Sequence, residues 1–424
     1  MNSLLRNRSF RSLVLGRLVT NAGDSLYTVA AMWLVWELTR SPAMTGVAGF
    51  LTQLPAALQL FAGPLVDRWP LRRVLVGTQL VQAVLVLAVP VAWYLDALTV
   101  WVVLTVMPLL ALCNQFVYPA QTALVPRLVE KAELVSANSA LALAYQGTDL
   151  VFNALAGVLV AAVGAVALYV VDSVTFLVAA LLFLSVRVPA AEPAPDAAEG
   201  SGTALADGGG SFLDGYAADL REGLGFVRGT VLLPLMLGGV VANFAIAATM
   251  PVLPAFGDAL STGRFGGATV YGALLAAVAA GSLLGSLLAS LVRDQPYGRL
   301  AIVGFGLSGV CWIGAVLAPG VLASVALFGL AAVPIGVTNV IAAAMIQSLS
   351  PERLLGRVSS VTTSVVVAMA PVGALVGGVV AEQAGVPVAV ALGGAGLLFV
   401  AGYALAHPGL RSLGPVDEVG TLAR

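Results

Sequence analysis

Long apolar runs recur along this sequence and constrain its fold more than any other feature. A helix that crosses the hydrocarbon core of a bilayer needs about 20 mainly apolar residues. The twelve runs of about that length are Ser12–Glu37, Met44–Val66, Val74–Tyr94, Leu98–Ala120, Ala140–Val163, Val166–Val186, Val231–Phe256, Ala268–Val292, Leu300–Leu317, Val321–Ala344, Val361–Val380 and Val386–Ala406. They show no alternation of apolar and polar residues, which argues against a membrane β-barrel. We therefore predict an all-α integral membrane protein with twelve transmembrane helices.

Charge supports this class of protein and gives an orientation. Only 10% of the residues are charged, whereas soluble domains carry about 25%, and the net charge of -1 gives no reason to expect a nucleic-acid partner. With the N-terminus inside, only Arg40 and Arg264 of the 20 basic residues lie outside, and Arg17 lies within the first span. Basic residues concentrate in cytoplasmic loops, so we expect both termini to be cytoplasmic. The preference for arginine over lysine is typical of GC-rich prokaryotic genomes, which favours a prokaryotic cytoplasmic membrane.

One segment interrupts the apolar pattern and divides the chain. Pro189–Ser211 is rich in Ala, Pro, Gly and acidic residues, as flexible linkers are. In Phe212–Arg228 the apolar residues follow helical spacing, which predicts a helix lying at the membrane interface. The expected parts are an N-terminal six-helix bundle (1–187), a cytoplasmic linker (188–211), the interfacial helix (212–229), a C-terminal six-helix bundle (230–408) and a cytoplasmic tail (409–424).

The two halves of the chain resemble each other. LVLGRLVTN (Leu13–Asn21) in the first span is similar to LMLGGVVAN (Leu235–Asn243) in the seventh. Further pairs recur in the same order at nearly constant separation: Asp67 with Asp294, Arg72 with Arg299, Asn114 with Asn339, and Pro126 with Pro351. Two parallel six-span repeats are typical of transporters, in which a site between the halves opens to each side in turn.

The loop after the second span carries a family resemblance. GPLVDRWPLRRVL (Gly63–Leu75) resembles the corresponding loop motif of the major facilitator superfamily. The stretches Asn7–Pro42, Val171–Leu182 and Met345–Ser360 resemble the exporters that include macrolide and siderophore efflux proteins. The resemblance implies two pseudo-symmetric six-helix bundles, and a loop carboxylate that contacts the N-terminus of the eleventh span and favours the outward-facing state. The gating residues that it implies are Gly63, Asp67, Arg68, Arg72, Arg73, Asp294 and Arg299.

Four ionisable residues fall within the spans of the first half. They are Arg17, Asp24, Asp149 and Asp172. A charge at the centre of a bilayer costs about 2.5–3.5 kcal/mol on insertion scales, so such residues usually face the bundle interior and serve a function. Arg17 precedes Asp24 by seven residues, which places both on one helix face. We expect them to couple transport to protons, although Asp149 and Asp172 could instead only bond a neighbouring helix.

Polar amides fall on the first, fourth, seventh and tenth spans, which line the cavity in the fold that the resemblance implies. They are Asn21, Asn114, Gln115, Asn243 and Asn339. Each of them is a candidate for contact with substrate, and each could equally be a hydrogen-bonding residue that only holds two helices together.

Other activities find no support in the sequence. There is no Walker phosphate loop, no constellation of nucleophile and base and no set of metal ligands, so we expect neither an enzyme nor a cofactor. The sequence predicts a monomeric secondary transporter that exports amphipathic or lipophilic small molecules, such as drugs, macrolides or siderophores, in exchange for protons. Two alternatives stay open, which are an importer or uniporter of the same fold, and a transport-inactive membrane sensor or scaffold.

Overall fold

A computed structural model describes residues 7–55, 69–130, 133–187, 221–262, 265–416 and 418. The linker and the loop residues Gly63, Asp67 and Arg68 lie outside these ranges, as does the first half of the predicted interfacial helix. The described part of the chain is almost entirely helical. A helix lies at each predicted span, the second of which is described only as far as Pro55.

Six helices make up the first half. They are α1 (Arg8–Thr39), α2 (Pro42–Gln53), α3 (Leu71–Tyr94), α4 (Val100–Leu128), α5 (Leu134–Val163) and α6 (Ala165–Leu184). The α1–α2 corner follows from its sequence, because Arg40 adopts a left-handed conformation that ends α1 and Ser41 caps the N-terminus of α2. Pro42 then occupies the first turn of α2, where a missing backbone N–H has no cost.

The second half repeats this arrangement. Its helices are α7 (Leu232–Ala259), α8 (Gly267–Val292), α9 (Tyr297–Leu317), α10 (Val321–Leu349), α11 (Leu355–Ala384) and α12 (Val386–Ala406). A 3-10 turn at Met250–Val252 interrupts α7. Residues 221–228 form a further helix, whose Glu222 pairs with Arg353 and Arg357 near the start of α11. The described part of this segment therefore packs on the second half.

Several helices extend beyond the apolar runs. The run Val361–Val380 predicts a shorter helix than α11, and α5 likewise begins six residues before Ala140. Hydropathy detects only the part of a helix that matches the hydrocarbon core, whereas the helix continues through the polar ends. Among the described residues, nine helices are long and apolar enough to cross a membrane, and a tenth qualifies if α5, which bends by 44°, counts as one span. These numbers are consistent with twelve crossings.

The two halves contact each other through two equivalent helix pairs. Within the halves, α1 packs on α5 and α6, and α7 packs on α11 and α12. Between the halves, α2 packs on α11 and α8 packs on α5. Because α2 is the repeat of α8 and α5 is the repeat of α11, an approximate twofold axis relates the two interfaces. Buried apolar residues continue from one half into the other, and the two interfaces are the seams along which the halves can move.

Small residues allow close approach at both interfaces. A Cβ on Gly378 of α11 would lie 2.7 Å from the Cα of Gly46 of α2, and a Cβ on Gly272 of α8 would lie 2.5 Å from the Cα of Gly157 of α5. These distances leave no room for a side chain. Backbone-to-backbone packing of this kind is typical of helix contacts in membranes.

We call the end of the bundle at which α1 begins the basal end, and the opposite end the far end. At the basal end the side chain of Asn7 donates to the Leu128 carbonyl at 2.6 Å, joining the start of α1 to the end of α4. The close contacts between the halves lie toward the far end, where Trp33 of α1 also stacks on Tyr271 of α8 at 6.5 Å. The far end of the central space is therefore closed.

Candidate functional site

The polar face of α1 lies against α5. Arg17 is buried, and its guanidinium lies 4.6 Å from the centre of the Tyr145 ring of α5. Its Nη2 also lies 3.5 Å from Oδ1 of Asn21, one turn further along α1. The cation is thus held by an aromatic face and an amide instead of a direct ion pair. Asn21, a candidate for contact with substrate, serves here to position the arginine.

Asp149 of α5 approaches the same face of α1. The hydroxyl of Ser25 donates to its Oδ1 at 2.7 Å and also lies 2.8 Å from the Asn21 carbonyl oxygen. The Asp149 side chain is otherwise exposed, so this carboxylate is held by α1 and is accessible from the space beside the helix pair.

Asp172 of α6 lies deeper. It has no exposed surface, and the hydroxyl of Thr175 donates to its Oδ1 at 3.0 Å. Its Oδ2 is buried and has no hydrogen-bond partner among the described residues. A carboxyl group in such surroundings is costly when charged, because a single hydroxyl donor replaces only part of its lost hydration. Gly23 makes this approach possible, since a Cβ there would collide with the Asp172 carboxylate.

The structure brings together the four ionisable residues that the sequence singled out. Asp24 is half-buried on α1 and interacts electrostatically with Arg17, Asp149 and Asp172. We call Asp24, Asp149 and Asp172, together with Arg17, the acidic cluster. It spans α1, α5 and α6, and Arg17 interacts with Asp24. The cluster therefore places three acidic groups and one basic group within the membrane-spanning part of the first half.

Sequence reasoning missed a buried chain of hydrogen bonds beside this cluster. Thr20 of α1 donates to Gln79 of α3 at 3.0 Å, Gln79 donates to Gln82 at 3.3 Å, and Gln82 donates to Asn114 of α4 at 3.0 Å. Neither glutamine has exposed surface. The sequence feature that could have predicted this chain is the pair of glutamines three residues apart in an apolar run, because that spacing puts both amides on one helix face.

Asn114 and Gln115 therefore have structural partners. Asn114 accepts the bond from Gln82, and Gln115 donates to the carbonyl of Ala111 in its own helix at 3.2 Å. In this conformation both amides contribute to the interior of the first half.

The second half contains a largely apolar cavity of about 360 Å³, which we call the C-half cavity. It lies between α7, α9, α10, α11 and α12, and both Asn243 and Asn339 line it. Asn243 donates to the Val366 carbonyl across the α7–α11 contact at 2.8 Å, while Asn339 on α10 is exposed. The cavity could hold an apolar group and offer it one or two amide contacts.

Polar contacts close the far end of the molecule across the two halves. Arg40, after α1, forms an ion pair with Asp258 at the end of α7, with Nη1 and Oδ2 2.8 Å apart. Glu382, near the end of α11, accepts from the Ser41 hydroxyl at 2.8 Å and from the Ala43 backbone N–H at 3.2 Å. We call these contacts the far-end latch. They were not visible in the sequence, since they join residues more than 200 positions apart.

The predicted gating residues lie at the basal end, as far as they are described. Arg72 and Arg73 are exposed at the start of α3, and Arg299 is exposed near the start of α9. Asp294 pairs with its neighbour Arg293, with Nε and Oδ1 3.5 Å apart. The role of these residues in gating stays a prediction.

Solved structures with this fold are transporters. A bacterial homologue of the lysosomal transporter spinster, titled as inward-facing, aligns over 98% of both chains with a TM-score of 0.69 and 14% identity. A bacterial homologue of the iron transporter ferroportin, also titled as inward-facing, aligns over 95% of this chain and 98% of that one, with a TM-score of 0.69 and 17% identity. At such identities the likeness concerns the fold, which is that of the major facilitator superfamily.

Relatives by sequence are named as efflux proteins. Macrolide efflux protein A of Streptococcus pyogenes is 25% identical over 385 residues, covering 89% of this chain and 90% of the relative. The multidrug efflux pump Tap of Mycobacterium tuberculosis is 26% identical over 390 residues, covering 89% and 88%. The family model described as transmembrane secretion effector matches residues 2–418. The chain therefore belongs to the transmembrane secretion effector family of major facilitator transporters.

Proposed function

We propose that this membrane transporter exports amphipathic or lipophilic small molecules from a prokaryotic cell in exchange for protons. The observation that carries the proposal is the acidic cluster, in which three carboxyl groups and one arginine lie within the membrane-spanning part of the first half. Membrane-embedded carboxyl groups with few hydrogen-bond donors or cations near them are typical of proton relays. The names of the relatives, macrolide efflux protein and multidrug efflux pump, support export and a lipophilic cargo.

Alternating access follows from the two seams between the halves. The far-end latch and the glycine contacts hold the far end closed, so cargo would enter from the basal end. By the distribution of arginines the basal end faces the cytoplasm. Rocking about the α2–α11 and α5–α8 contacts would then close the basal end and release cargo outside.

Asp24 is the residue that we assign to coupling. It lies on α1 and interacts electrostatically with Arg17, Asp149 and Asp172. Its charge state therefore affects every other charge in the cluster. If a proton on Asp24 and bound cargo disfavour each other, the outward-facing state releases cargo and takes up a proton, and the inward-facing state does the reverse.

Cargo recognition would use both halves. The C-half cavity offers an apolar wall with Asn243 and Asn339, while the first half offers polar and charged groups. An amphipathic molecule could place its apolar part in the cavity and its polar part toward α1. The proposal thus assigns binding of the lipophilic part and proton coupling to different halves.

The test is transport by Asp24→Asn in proteoliposomes. The variant mimics the protonated form, so gradient-driven efflux should be lost while exchange of cargo without a gradient is retained. A matched control is Asp96→Asn, because Asp96 lies in the turn between α3 and α4 with a positive φ of 52°, which asparagine also tolerates. Both activities of the control should equal those of the unmodified protein.

Two outcomes would count against the proposal. Full gradient-driven efflux by Asp24→Asn would exclude Asp24 as the coupling group and would make Asp149 the next candidate. Accumulation of cargo in the direction of the proton gradient, measured in vesicles of known orientation, would instead indicate an importer of the same fold.

A further inference from the structure

A second concave site lies at the basal end, away from the acidic cluster. It is a pocket of about 440 Å³ between the start of α3 and the end of α4. The residues that line it are Trp69, Pro70, Leu71, Arg72, Arg73, Ala123 and Arg127. We call it the arginine pocket.

Positive charge is concentrated around the pocket in the described part of the chain. Arg72, Arg73 and Arg127 are all exposed, and no acidic residue is among the described residues that line the pocket. In the described part of the chain, none of the three forms an ion pair with a carboxylate. Three guanidinium groups around one concavity repel each other, so an anion bound there relieves the repulsion. Phosphate suits them best, because guanidinium groups bind phosphate oxygens in pairs of hydrogen bonds.

Membrane topology alone does not account for this cluster. Arginines at the basal end are expected in both halves, so the related half provides an internal comparison. When the two halves are aligned so that Arg72 corresponds to Arg299, Arg73 corresponds to Leu300. When Asn114 is aligned with Asn339, Arg127 corresponds to Glu352. At these three positions the second half has one arginine, and its neighbouring Arg353 and Arg357 pair with Glu222. The three arginines of the first half have no such carboxylate partner among the described residues.

Trp69 is the aromatic residue of the pocket. Its side chain is 49% exposed and stacks on Phe116 of α4, with ring centres 6.2 Å apart. Indole rings that are fixed in this way and partly exposed are typical of the boundary between headgroups and acyl chains. A molecule that reaches the three arginines from the bilayer would pass beside this ring.

We propose that the arginine pocket binds the phosphate of an anionic phospholipid, such as cardiolipin or phosphatidylglycerol. Basic pockets between transmembrane helices are known to suit such headgroups. The bound lipid would join the start of α3 to the end of α4. This site is separate from cargo binding and proton coupling, and it goes beyond the proposed function.

The test is lipid binding by the purified full-length protein, measured by native mass spectrometry with cardiolipin and with zwitterionic phosphatidylethanolamine. The unmodified protein should retain cardiolipin preferentially. Arg73→Gln and Arg127→Gln should each weaken cardiolipin binding about fivefold, which corresponds to about 1 kcal/mol for one basic residue near the membrane surface. The double variant should weaken it by about 25-fold. Arg187→Gln is the matched control, because Arg187 is exposed after the end of α6 and does not line the pocket.

A second measurement does not depend on the folding of an arginine variant. Brominated cardiolipin should quench the fluorescence of Trp69 more strongly than brominated phosphatidylcholine does, with Trp69→Phe identifying the contribution of this indole. Cardiolipin binding by the double variant equal to that of the unmodified protein would overturn the proposal. So would equal quenching by the two lipids. Displacement of cardiolipin by millimolar inorganic phosphate would overturn it in a different way, by identifying a site for a soluble anion.

Discussion

Glu382→Gln should open the far end of the transporter. The Glu382 carboxylate accepts from the Ser41 hydroxyl and the Ala43 N–H, so it places a negative charge at the N-terminus of α2 across the boundary between the halves. Glutamine retains an acceptor oxygen and removes the charge. The substitution therefore isolates the interaction of the charge with the unpaired N–H groups and dipole of α2.

The expected size of the free-energy change follows from the solvent exposure of Glu382. An anion at an exposed helix N-terminus contributes about 0.3–1 kcal/mol, and Glu382 is exposed. Loss of about 1 kcal/mol would change the ratio of outward-facing to inward-facing molecules about fivefold. The Arg40–Asp258 pair, with 59% and 33% of the side chains exposed, should add about 0.2–1 kcal/mol. Glu382→Gln combined with Arg40→Ala should then shift the ratio roughly 2- to 30-fold.

Spin labels at positions 97 and 318 would report this shift, because they lie in the α3–α4 and α9–α10 turns at the far end of opposite halves. The native cysteines, Cys113 and Cys311, would first be replaced by alanine. In double electron–electron resonance spectra, the population with the longer distance should grow in Glu382→Gln and grow further in the double variant. Glu37→Gln is the control, since Glu37 is an exposed carboxylate at the same end of α1. If the distance distributions of the double variant match those of the unmodified protein, the latch contributes nothing to closure.

Two further predictions concern the seams and the basal end. Gly378→Val should prevent full far-end closure, because a Cβ there already reaches the Gly46 backbone. The same spin labels should then show a predominantly long distance. In the control variant Val379→Ala, on the exposed face of α11, the distances should stay as in the unmodified protein. Asp67→Asn should shift the population toward the inward-facing state, by removing the charge that the family resemblance implies at the N-terminus of α11, and Asp294→Asn should do so less. Labels on the two basal rims would measure this change, and unchanged distances in both variants would contradict the gating role.

The sequence was sufficient to predict the helices and their grouping, for identifiable reasons. Hydrocarbon thickness fixes the length of an apolar run, and the repeat pairs α2 with α8 and α5 with α11. Helix ends were less accessible, because segments such as Leu134–Asn138 continue α5 through polar residues to which hydropathy is insensitive. Contacts between the halves were not accessible at all, since the partners of Glu382 depend on which conformation the molecule adopts.

The site shows the same division between local and long-range information. Helical spacing placed Arg17 and Asp24 on one face of α1, and the structure brings that face to Asp149 and Asp172. The spacing could not reveal that Tyr145 receives the guanidinium, because this contact depends on how α5 packs on α1. For the same reason, the similar depth of Asn339 and Asn114 in the membrane could not show their different surroundings. Asn339 lines the C-half cavity, whereas Asn114 bonds to Gln82.

The confinement of the acidic cluster to the first half has an evolutionary consequence. A duplicated gene begins with two equivalent halves, yet here the membrane-embedded charges of the described chain lie on α1, α5 and α6, and the apolar C-half cavity lies wholly in the second half. Substitutions around Asn339 can therefore reshape the cavity without altering the electrostatics around Asp24. Under the proposed mechanism, selection by a new toxic compound can change the range of cargo in one half while the energy source, carried by the other half, is inherited unchanged.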